Sequence, residues 1–265
     1  MTSALAPDAV KACCAAAYSG AAARFLLGES FHPGGAGLTS HLVSALRVGP
    51  GETVVDVASG PGTSAIQLAR ETGCDVVGVD LSSDSVASAS RAAVKAGLDA
   101  RVRFLCGDAE ALPLPDASFD GALCECALCT FPDKPAAVRE LARVLRPGAR
   151  LALSDVIAAP ERLPPELTTL AARVACLGDA RPLEEIAALL EAAGLAVAGT
   201  ERHDDAFREL LERIEARLHM ARLLRKGLPA ELRGGAEKGL ELVRSAHGAL
   251  AEGALGYGSV VAQKR

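Results

Sequence analysis

One stretch limits more than any other what this chain can fold into: a short apolar strand that passes through a glycine turn into a helix. Residues Val54 to Thr63 read Val-Val-Asp-Val-Ala-Ser-Gly-Pro-Gly-Thr. A turn of this kind directs backbone N–H groups and the positive end of a helix at one place. The G-x-G-x-x-G spacing of dinucleotide-binding folds is broken, because Ala65 stands at the third glycine position. The stretch therefore predicts a ligand site in an α/β fold and disfavours NAD.

Strands and helices alternate through most of the chain beyond this turn. Short apolar runs bounded by turns predict strands, and apolar positions three or four residues apart predict helices. The predicted strands are 53–57, 75–79, 102–105, 119–124, 151–156, 195–200 and 257–263, and the main predicted helices are 7–27, 83–96, 135–145 and 183–193. Such alternation predicts a parallel sheet with helices on both faces, a Rossmann-like doubly wound α/β fold.

The chain divides into a helical N-terminal cap or lid, residues 1–50, and a ligand-binding α/β domain, residues 51–265. Within the second region, helical insertions are expected at about 160–180 and 205–250, where the alternation loosens. Neither an internal repeat nor a low-complexity linker separates the two regions. We therefore expect one Rossmann-like fold with helical additions near its two ends.

Composition and charge exclude several kinds of partner. The formal net charge is −5 and no tract of lysine and arginine stands out, so nucleic acid is not expected to bind. The sequence has no run of about 18 apolar residues, and its first thirty residues lack the features of a secretory signal. We expect a cytoplasmic protein, without a membrane partner, that acts on a small molecule. The sequence does not indicate the oligomeric state.

Acidic side chains follow the next two predicted strands at the point where each strand ends. Asp80 comes 18 positions after Gly62, and Gly107-Asp108-Ala109 follows the third strand. The carboxyl ends of parallel strands meet at one edge of the sheet, where ligands of open α/β folds bind. A carboxylate can accept hydrogen bonds from both hydroxyls of a ribose. Asp80 is therefore predicted to hold a ribose, the alternative being a helix cap or a surface turn.

These motifs resemble those of class I S-adenosylmethionine (SAM)-dependent methyltransferases between about Gly51 and Asp155. The resemblance includes Arg143-Val-Leu-Arg-Pro-Gly148, which precedes the fifth predicted strand. It departs from the family at Ala58, where many members carry glycine. The resemblance implies that SAM is the cofactor and that the sheet has seven strands, the last of which, 257–263, runs antiparallel.

The resemblance also assigns parts of the cofactor to residues of this chain. It implies that Gly60 and Gly62 face the methionyl part, that Asp80 binds the ribose, and that Asp108 and Ala109 border the adenine. The full set of predicted cofactor-binding residues is Asp56, Ala58, Ser59, Gly60, Gly62, Thr63, Asp80, Leu81, Gly107, Asp108, Ala109, Cys124 and, from the first predicted helix, Tyr18.

Three of the eight cysteines crowd into one segment after the fourth predicted strand, Cys124 to Cys129. The Cys-x-x-Cys pair formed by Cys126 and Cys129 is typical of half a zinc site or of a redox dithiol. The sequence has no second such pair, which disfavours a structural zinc. Free cysteines are also ordinary small core residues, the interpretation that we prefer for Cys74 and Cys106. Cys126 instead lies at the sheet edge beside the donor, so a functional role is predicted for it.

The segment around Cys126 also resembles the arsenite methyltransferase subfamily. Its members have Asn-Cys at this point and Pro-Asp-Lys six residues beyond the cysteine. Here Glu125 replaces the asparagine, and Pro132-Asp133-Lys134 follows Cys126 at that spacing. A later Cys-Leu-Gly motif of the subfamily is matched by Cys176-Leu-Gly178. The resemblance implies that Cys126 and Cys176 are ligands of trivalent arsenic.

The resemblance is weaker at the N-terminus, where the subfamily carries additional cysteines. Cys13 and Cys14 are the candidates there, although the sequence around them does not align clearly. Adjacent helical residues point about 100° apart, so at most one of the two reaches a shared site. We take Cys14 as the candidate third ligand.

The predicted reaction is methyl transfer from SAM to thiol-bound trivalent arsenic, which is a soft, thiophilic acceptor. Its lone pair can attack the methyl group in line, so no general base is needed. His32 lies in a Pro-Gly-rich loop. It is either a general base for an oxygen or nitrogen nucleophile, or an ordinary residue of a surface loop. Two alternatives remain: a methyltransferase of a small organic molecule at C, O, N or S, and a non-catalytic protein that binds SAM or a metalloid. The predicted catalytic residues are Cys126, Cys176, Cys129, Glu125 and His32.

Overall fold

A single seven-stranded sheet organises the protein, which a computed structural model describes for residues 6–224 and 235–265. The strands are β1 Thr53–Val57, β2 Asp75–Asp80, β3 Val102–Cys106, β4 Phe119–Glu125, β5 Leu145–Ala158, β6 Leu195–Arg202 and β7 Leu255–Lys264. Their order across the sheet is β3-β2-β1-β4-β5-β7-β6. Only β7 runs antiparallel to its neighbours among these seven strands. The expected seven-stranded sheet with an antiparallel last strand is confirmed.

Helices pack on both faces of this sheet. They are α1 Pro7–Ser19, α2 Ala21–Leu27, α3 Gly35–Leu46, α4 Thr63–Thr72, α5 Ser83–Lys95, α6 Lys134–Val144, α7 Leu170–Val174, α8 Leu183–Ala192, α9 Asp204–Leu223 and α10 Ala236–Ala251. Successive strand residues face opposite ways, so Val54 enters the core beneath α3 and α4, whereas Val55 and Val57 enter the core beneath α6 and α8. None of these helices, within the two described ranges, is long and apolar enough to cross a bilayer.

The predicted N-terminal helix over 7–27 is in fact two helices. Gly20 separates α1 from α2 in an extended conformation, with φ −72° and ψ 162°. Nη1 of Arg24 donates a hydrogen bond to the carbonyl oxygen of Ser19, which satisfies one of the free carbonyls at the end of α1. The alanine-rich sequence favours helix on both sides, so the glycine is the only local sign of the break.

The two predicted helical insertions contain less helix than expected. Residues 160–180 form two 3-10 turns, Pro160–Arg162 and Pro165–Thr168, and one short helix, α7. Prolines interrupt the helical hydrogen bonds there. The insertion at 205–250 consists of α9 and α10, and its residues 225–234 lie outside the described part of the chain.

Two expectations from residue type are wrong at element boundaries. Threonine and serine are favoured N-caps, but Gly62, and neither Thr63 nor Ser64, is the N-cap of α4, in a left-handed conformation and without a side-chain cap bond. The fifth strand was expected at 151–156, but β5 begins at Leu145, directly after α6 ends at Val144. The strand continues through Pro147-Gly148, where its pairing with β4 shifts register. Both errors arise from backbone conformations that side-chain type alone does not specify.

Candidate active site

A cleft of about 130 Å³ lies at the carboxyl ends of β1, β2 and β4. β1 and β4 are the neighbours at which the strand order reverses, the usual binding place in doubly wound sheets. We call this cavity the donor cleft. All of the predicted cofactor residues line it except Gly62 and Cys124, and the predicted residues Cys14, His32, Glu125 and Cys126 line it as well.

Gly62 and Cys124 pack against core residues and do not line the donor cleft. A Cβ atom at Gly62 would lie 2.6 Å from Cζ of Phe104 and 2.8 Å from Cβ of Ala89. Core residues therefore fill the space that a side chain at Gly62 would need, and the contact of Gly62 with the methionyl part stays a prediction. Cys124 is fully buried in the core that α6 and α8 cover.

The glycine turn presents buried polar atoms to the donor cleft. Oδ2 of Asp56 and Oγ of Ser59 are buried and have no hydrogen-bond partner among the described residues. Burial, and then the charge of Glu125, raises the pKa of Asp56 well above its ordinary value. Buried polar atoms are almost always paired in native proteins. A ligand with an ammonium group, such as the methionyl part of SAM, would supply the missing partner.

Asp80 is held in place by its own backbone surroundings. Oδ2 accepts a hydrogen bond from the backbone N–H of Gly60 at 2.8 Å, and Oδ1 accepts one from Ser82 at 2.9 Å. Each oxygen has a second lone pair, and the side chain lines the donor cleft. The carboxylate can therefore accept both hydroxyls of a ribose without changing its orientation.

Helix α1 lies over the far end of the donor cleft and is tied there by Lys11. Its Nζ atom lies 2.7 Å from Oδ2 of Asp108 and 2.5 Å from Oε2 of Glu110. All three side chains are at least two-thirds buried. Sequence reasoning missed this lysine, because a lone basic residue in an alanine-rich helix carries no motif.

Replacing Lys11 with alanine is expected to loosen α1 and speed the release of SAM. A partly buried pair of this kind contributes about 1 kcal/mol, so the dissociation rate should rise about fivefold. Stopped-flow fluorescence or surface plasmon resonance would measure that rate. Lys95→Ala, which removes an exposed lysine at the end of α5, is the matched control. Equal dissociation rates for both variants and the unmodified protein would show that Lys11 does not hold the lid.

His32 is buried beside Glu125 instead of standing on a surface loop. Its Nδ1 atom lies 3.0 Å from the carbonyl oxygen of Pro33, which can only accept a hydrogen bond. In the neutral ring, Nδ1 therefore carries the proton and Nε2 is the acceptor, and the hydroxyl of Ser30 lies 2.9 Å from that acceptor. Nε2 lies 3.6 Å from Oε2 of Glu125, and Thr39 donates to Oε1 of that carboxylate at 3.1 Å. The pair is arranged so that it could take up a proton from a ligand.

The chain brings three cysteines together next to this cleft: Cys126, Cys129 and Cys176, which we call the thiol cluster. Sγ of Cys176 lies 3.8 Å from the carbonyl oxygen of Cys126, although the residues are 50 positions apart. The hydroxyl of Tyr18 lies 2.8 Å from the same sulfur. Tyr18, which the sequence predicts to bind the cofactor, lines the donor cleft, and its hydroxyl contacts the thiol cluster.

Tight turns place the two outer members of the thiol cluster. Cys126 follows β4, donates its N–H to the carbonyl of Ser154, and has φ +53°. Cys176 ends the turn after α7 with φ +63°. Gly178 completes that turn, and a Cβ there would lie 2.8 Å from the backbone nitrogen of Arg173. Left-handed backbone costs a non-glycine residue about 1–3 kcal/mol and concentrates at functional sites.

Hydrogen bonds make Cys176 the acidic member of the thiol cluster. Those from Cys126 and Cys129, followed by that from Tyr18, lower the pKa of Cys176 well below its ordinary value. Burial, and then the neighbouring thiols, raises the pKa of Cys129. Burial, and then the charge of Cys176, raises the pKa of Asp155 to about 7. Within the cluster, Cys176 is thus the thiol that loses its proton most readily, an arrangement suited to a soft electrophilic atom.

A buried ion pair joins the two loops that carry these cysteines. Nζ of Lys134 lies 2.7 Å from Oδ2 of Asp179 and also donates to the carbonyl oxygens of Phe131 and Cys129. Lys134 belongs to the Pro-Asp-Lys motif, and Asp179 directly follows Gly178. The sequence showed the motif, but the partner of its lysine depends on the tertiary fold.

Replacing Lys134 with methionine is expected to lower the free energy of unfolding by about 2 kcal/mol, because Asp179 loses its closest partner while remaining largely buried. Arg173 and Arg181 still lie near Asp179 and limit the loss. Chemical denaturation would measure it. Arg208→Met, which removes an exposed pair with Asp205, should cost less than about 0.5 kcal/mol. Similar losses in the two variants would contradict a special role for Lys134.

The N-terminal cysteines separate as expected for neighbours on a helix. Cys14 is buried and lines the donor cleft, whereas Cys13 is exposed. Burial, and then the charge of Cys176, raises the pKa of Cys14 to about 11. Within residues 6–224 and 235–265, no group of three or more His, Cys, Asp or Glu side chains is placed to hold a metal ion.

Comparison with known proteins agrees with the fold. Residues 55–153 match the family model for a methyltransferase domain. Among solved structures, phosphoethanolamine N-methyltransferase 2 of Haemonchus contortus, in complex with S-adenosyl-L-methionine, superposes with a TM-score of 0.76 and 22% identity, covering 92% of this chain and 56% of that chain. The sheet topology is that of the Rossmann-like fold of this solved structure. Within that fold, residues 55–153 form a methyltransferase domain.

The curated relatives act on different acceptors. The 27-O-demethylrifamycin SV methyltransferase of Amycolatopsis mediterranei is 39% identical over 162 residues, which cover 60% of this chain and 59% of that protein. An arsenite methyltransferase of Halobacterium salinarum is 33% identical over 152 residues, which cover 55% of this chain and 37% of that protein. The chain thus spans about three fifths or less of the length of these relatives. Their diversity leaves the acceptor to be inferred from the site.

Proposed function

We propose that the protein is a SAM-dependent methyltransferase whose acceptor is trivalent arsenic bound by Cys126 and Cys176. One observation carries this proposal: two cysteines 50 residues apart converge beside the donor cleft, and both have left-handed backbone. A core cysteine needs neither feature. Thiolates are the ligands that a soft trivalent metalloid prefers.

The residues of the donor cleft would bind and orient the cofactor. Asp56 and Ser59 would accept hydrogen bonds from its ammonium group, and Asp80 would accept those from its ribose hydroxyls. SAM supplies a methyl group on a positively charged sulfur. The thiol cluster lies next to the cleft, with Cys126 in the wall of the cleft itself.

In the proposed reaction, Cys126 and the Cys176 thiolate hold arsenic with its lone pair directed at the methyl carbon. A carbon–arsenic bond forms while the carbon–sulfur bond breaks, and the electron pair of that bond stays on the departing sulfur. No proton moves in this step, so the residues contribute alignment and the exclusion of water. Tyr18 donates a hydrogen bond to Cys176 and helps to fix the position of its sulfur. Cys129 and Cys14 are the nearest candidates for a third ligand.

The proposal is tested by incubating the protein with SAM, arsenite and a reducing thiol, and measuring the formation of S-adenosylhomocysteine. We expect product formation that depends on arsenite. Calorimetric titration with SAM alone provides the control for cofactor binding. A protein that binds SAM but forms no product with arsenite would contradict the proposal and leave a binding protein or another acceptor.

A small organic molecule is the second candidate acceptor, and the buried pair of His32 and Glu125 favours it. His32 lines the donor cleft, and Nε2 is the acceptor nitrogen of its neutral ring. A ligand hydroxyl or amine that replaced the Ser30 hydroxyl, now 2.9 Å from Nε2, could be deprotonated there. A screen of phenols, amines and small thiols would reveal such an acceptor. His32→Gln separates the two candidates, since it should abolish transfer to a hydroxyl group and spare transfer to arsenic.

A further inference from the structure

A second cavity, of about 300 Å³, lies behind the thiol cluster. Its walls come from α2, α7, α9 and α10, and representative lining residues are Leu26, Val174, Phe207, Leu211, Leu242 and Ala246. We call it the apolar chamber. Helices α9 and α10 belong to the part of the chain that carries none of the motifs described above, so the chamber is a feature of this chain's own additions to the sheet.

The apolar chamber and the donor cleft share a wall. Tyr18, Phe31 and Cys126 line both cavities, and the two rings have centroids 6.4 Å apart. Cys176 lines the apolar chamber and not the donor cleft. An atom bound between Cys126 and Cys176 would therefore have the methyl donor on one side and the apolar chamber on the other.

The chemistry of the apolar chamber restricts what can occupy it. Its lining residues, among those that the structure describes, include no charged side chain, and its polar groups are confined to Tyr18 and the two cysteines. An apolar cavity of about 150 Å³ in another protein takes up benzene. The chamber has about twice that volume, which is enough for one or two aromatic rings or a branched alkyl group.

We propose that the preferred acceptor carries an aryl or bulky alkyl substituent that fills the apolar chamber, on the same atom that the thiols bind. This inference rests on the proposed function, and it narrows the acceptor from inorganic arsenite to a trivalent organoarsenical. Burying one ring removes apolar surface from water and favours binding. In the transfer step, the arsenic lone pair forms the new bond to carbon, and the departing sulfur keeps the electron pair of the broken carbon–sulfur bond. The substituent takes no part in this step.

Ala246→Phe provides the test, because this fully buried alanine on α10 lines the apolar chamber and a phenyl ring there would occupy part of its volume. Phenylarsenous acid and arsenite serve as the two acceptors. In the unmodified protein we expect kcat/KM to be about tenfold higher for the phenyl compound, the benefit expected from burying most of a ring. In Ala246→Phe that advantage should disappear, while kcat/KM for arsenite changes less than twofold.

Ala251→Phe, at an exposed position on the same helix, is the matched control and should behave as the unmodified protein does. Ala175→Leu, on the opposite wall, is a second filling variant in case Ala246→Phe folds poorly, which circular dichroism would show. Equal kcat/KM for the two acceptors in the unmodified protein, or equal losses for both acceptors in the folded filling variants, would overturn the inference and leave the proposed function standing.

A direct binding measurement separates failure of the chamber from failure of the reaction. Naphthalene, which contains no arsenic, should bind the unmodified protein, and its fluorescence should be quenched or shifted on binding. It should bind the filling variants at least tenfold more weakly. If neither arsenical is methylated but naphthalene binds in this way, the proposed function is wrong and the chamber is a site for apolar groups. If naphthalene does not bind the unmodified protein, the apolar chamber is not a binding site for apolar groups, whichever acceptor is methylated.

Discussion

Replacing Cys176 with serine is expected to lower kcat/KM for arsenite by about 100-fold or more, because an oxygen ligand is a poor partner for a soft trivalent atom. Cys126→Ser should have an effect of similar size. The affinity for SAM should change less than about twofold in Cys176→Ser, since Cys176 lies outside the donor cleft. Steady-state kinetics with arsenite and calorimetry with SAM would measure the two quantities.

Two other cysteines provide matched controls for this prediction. Cys106→Ser changes an exposed thiol at the end of β3, and Cys74→Ser changes a buried core thiol. Both should retain transfer to arsenite within about twofold, apart from any loss of stability in Cys74→Ser. Normal kinetics in Cys176→Ser would remove the basis for an arsenic site. Equal losses in Cys176→Ser and Cys106→Ser would point to a general sensitivity of the fold.

Replacing Asp80 with alanine is expected to raise the dissociation constant of SAM by about 100-fold, which corresponds to about 2.7 kcal/mol. Two hydrogen bonds from ribose hydroxyls to a charged acceptor account for a loss of this size. Asp80→Asn keeps a single good acceptor and should cost about tenfold. Isothermal titration calorimetry would measure each constant.

The control for Asp80 lies on the same strand. Asp75 begins β2 at the opposite edge of the sheet and is exposed, so Asp75→Ala should bind SAM normally. Asp80 also accepts hydrogen bonds from Gly60 and Ser82, which shape the turn. Thermal unfolding of both variants would detect any damage to the fold. Unchanged SAM binding in a folded Asp80→Ala protein would rule out the ribose role.

Local sequence patterns were sufficient to predict the donor side of the site. Asp56, Asp80 and Asp108 each lie at or just beyond the carboxyl end of a strand, and parallel strands bring these ends together regardless of the rest of the fold. A strand, a glycine turn and a helix are encoded by residues close in sequence. For this reason the predicted positions of the seven strands agree with the structure, apart from the start of β5. Most of the predicted cofactor residues line the donor cleft.

The acceptor side depends on contacts between distant residues, which sequence patterns do not reveal. Cys126 and Cys176 could be paired in advance only through a resemblance to a family. The tie between Lys11 and Asp108 joins residues 97 positions apart, and the tie between Lys134 and Asp179 joins residues 45 apart. The apolar chamber is built from helices whose apolar residues look like ordinary core positions. Nothing local distinguishes a residue that lines a cavity from one that fills a core.

The left-handed backbone at Cys126 and Cys176 has a consequence for anyone who engineers this protein. A stabilisation procedure that reads backbone angles would recommend glycine at both positions, and on conformational grounds alone it would be right. The resulting chain would have less backbone strain and would have lost both of its proposed sulfur ligands. At these two residues, the backbone conformation favours glycine whereas the proposed reaction requires cysteine. A library screened only for thermal stability would therefore select against the reaction.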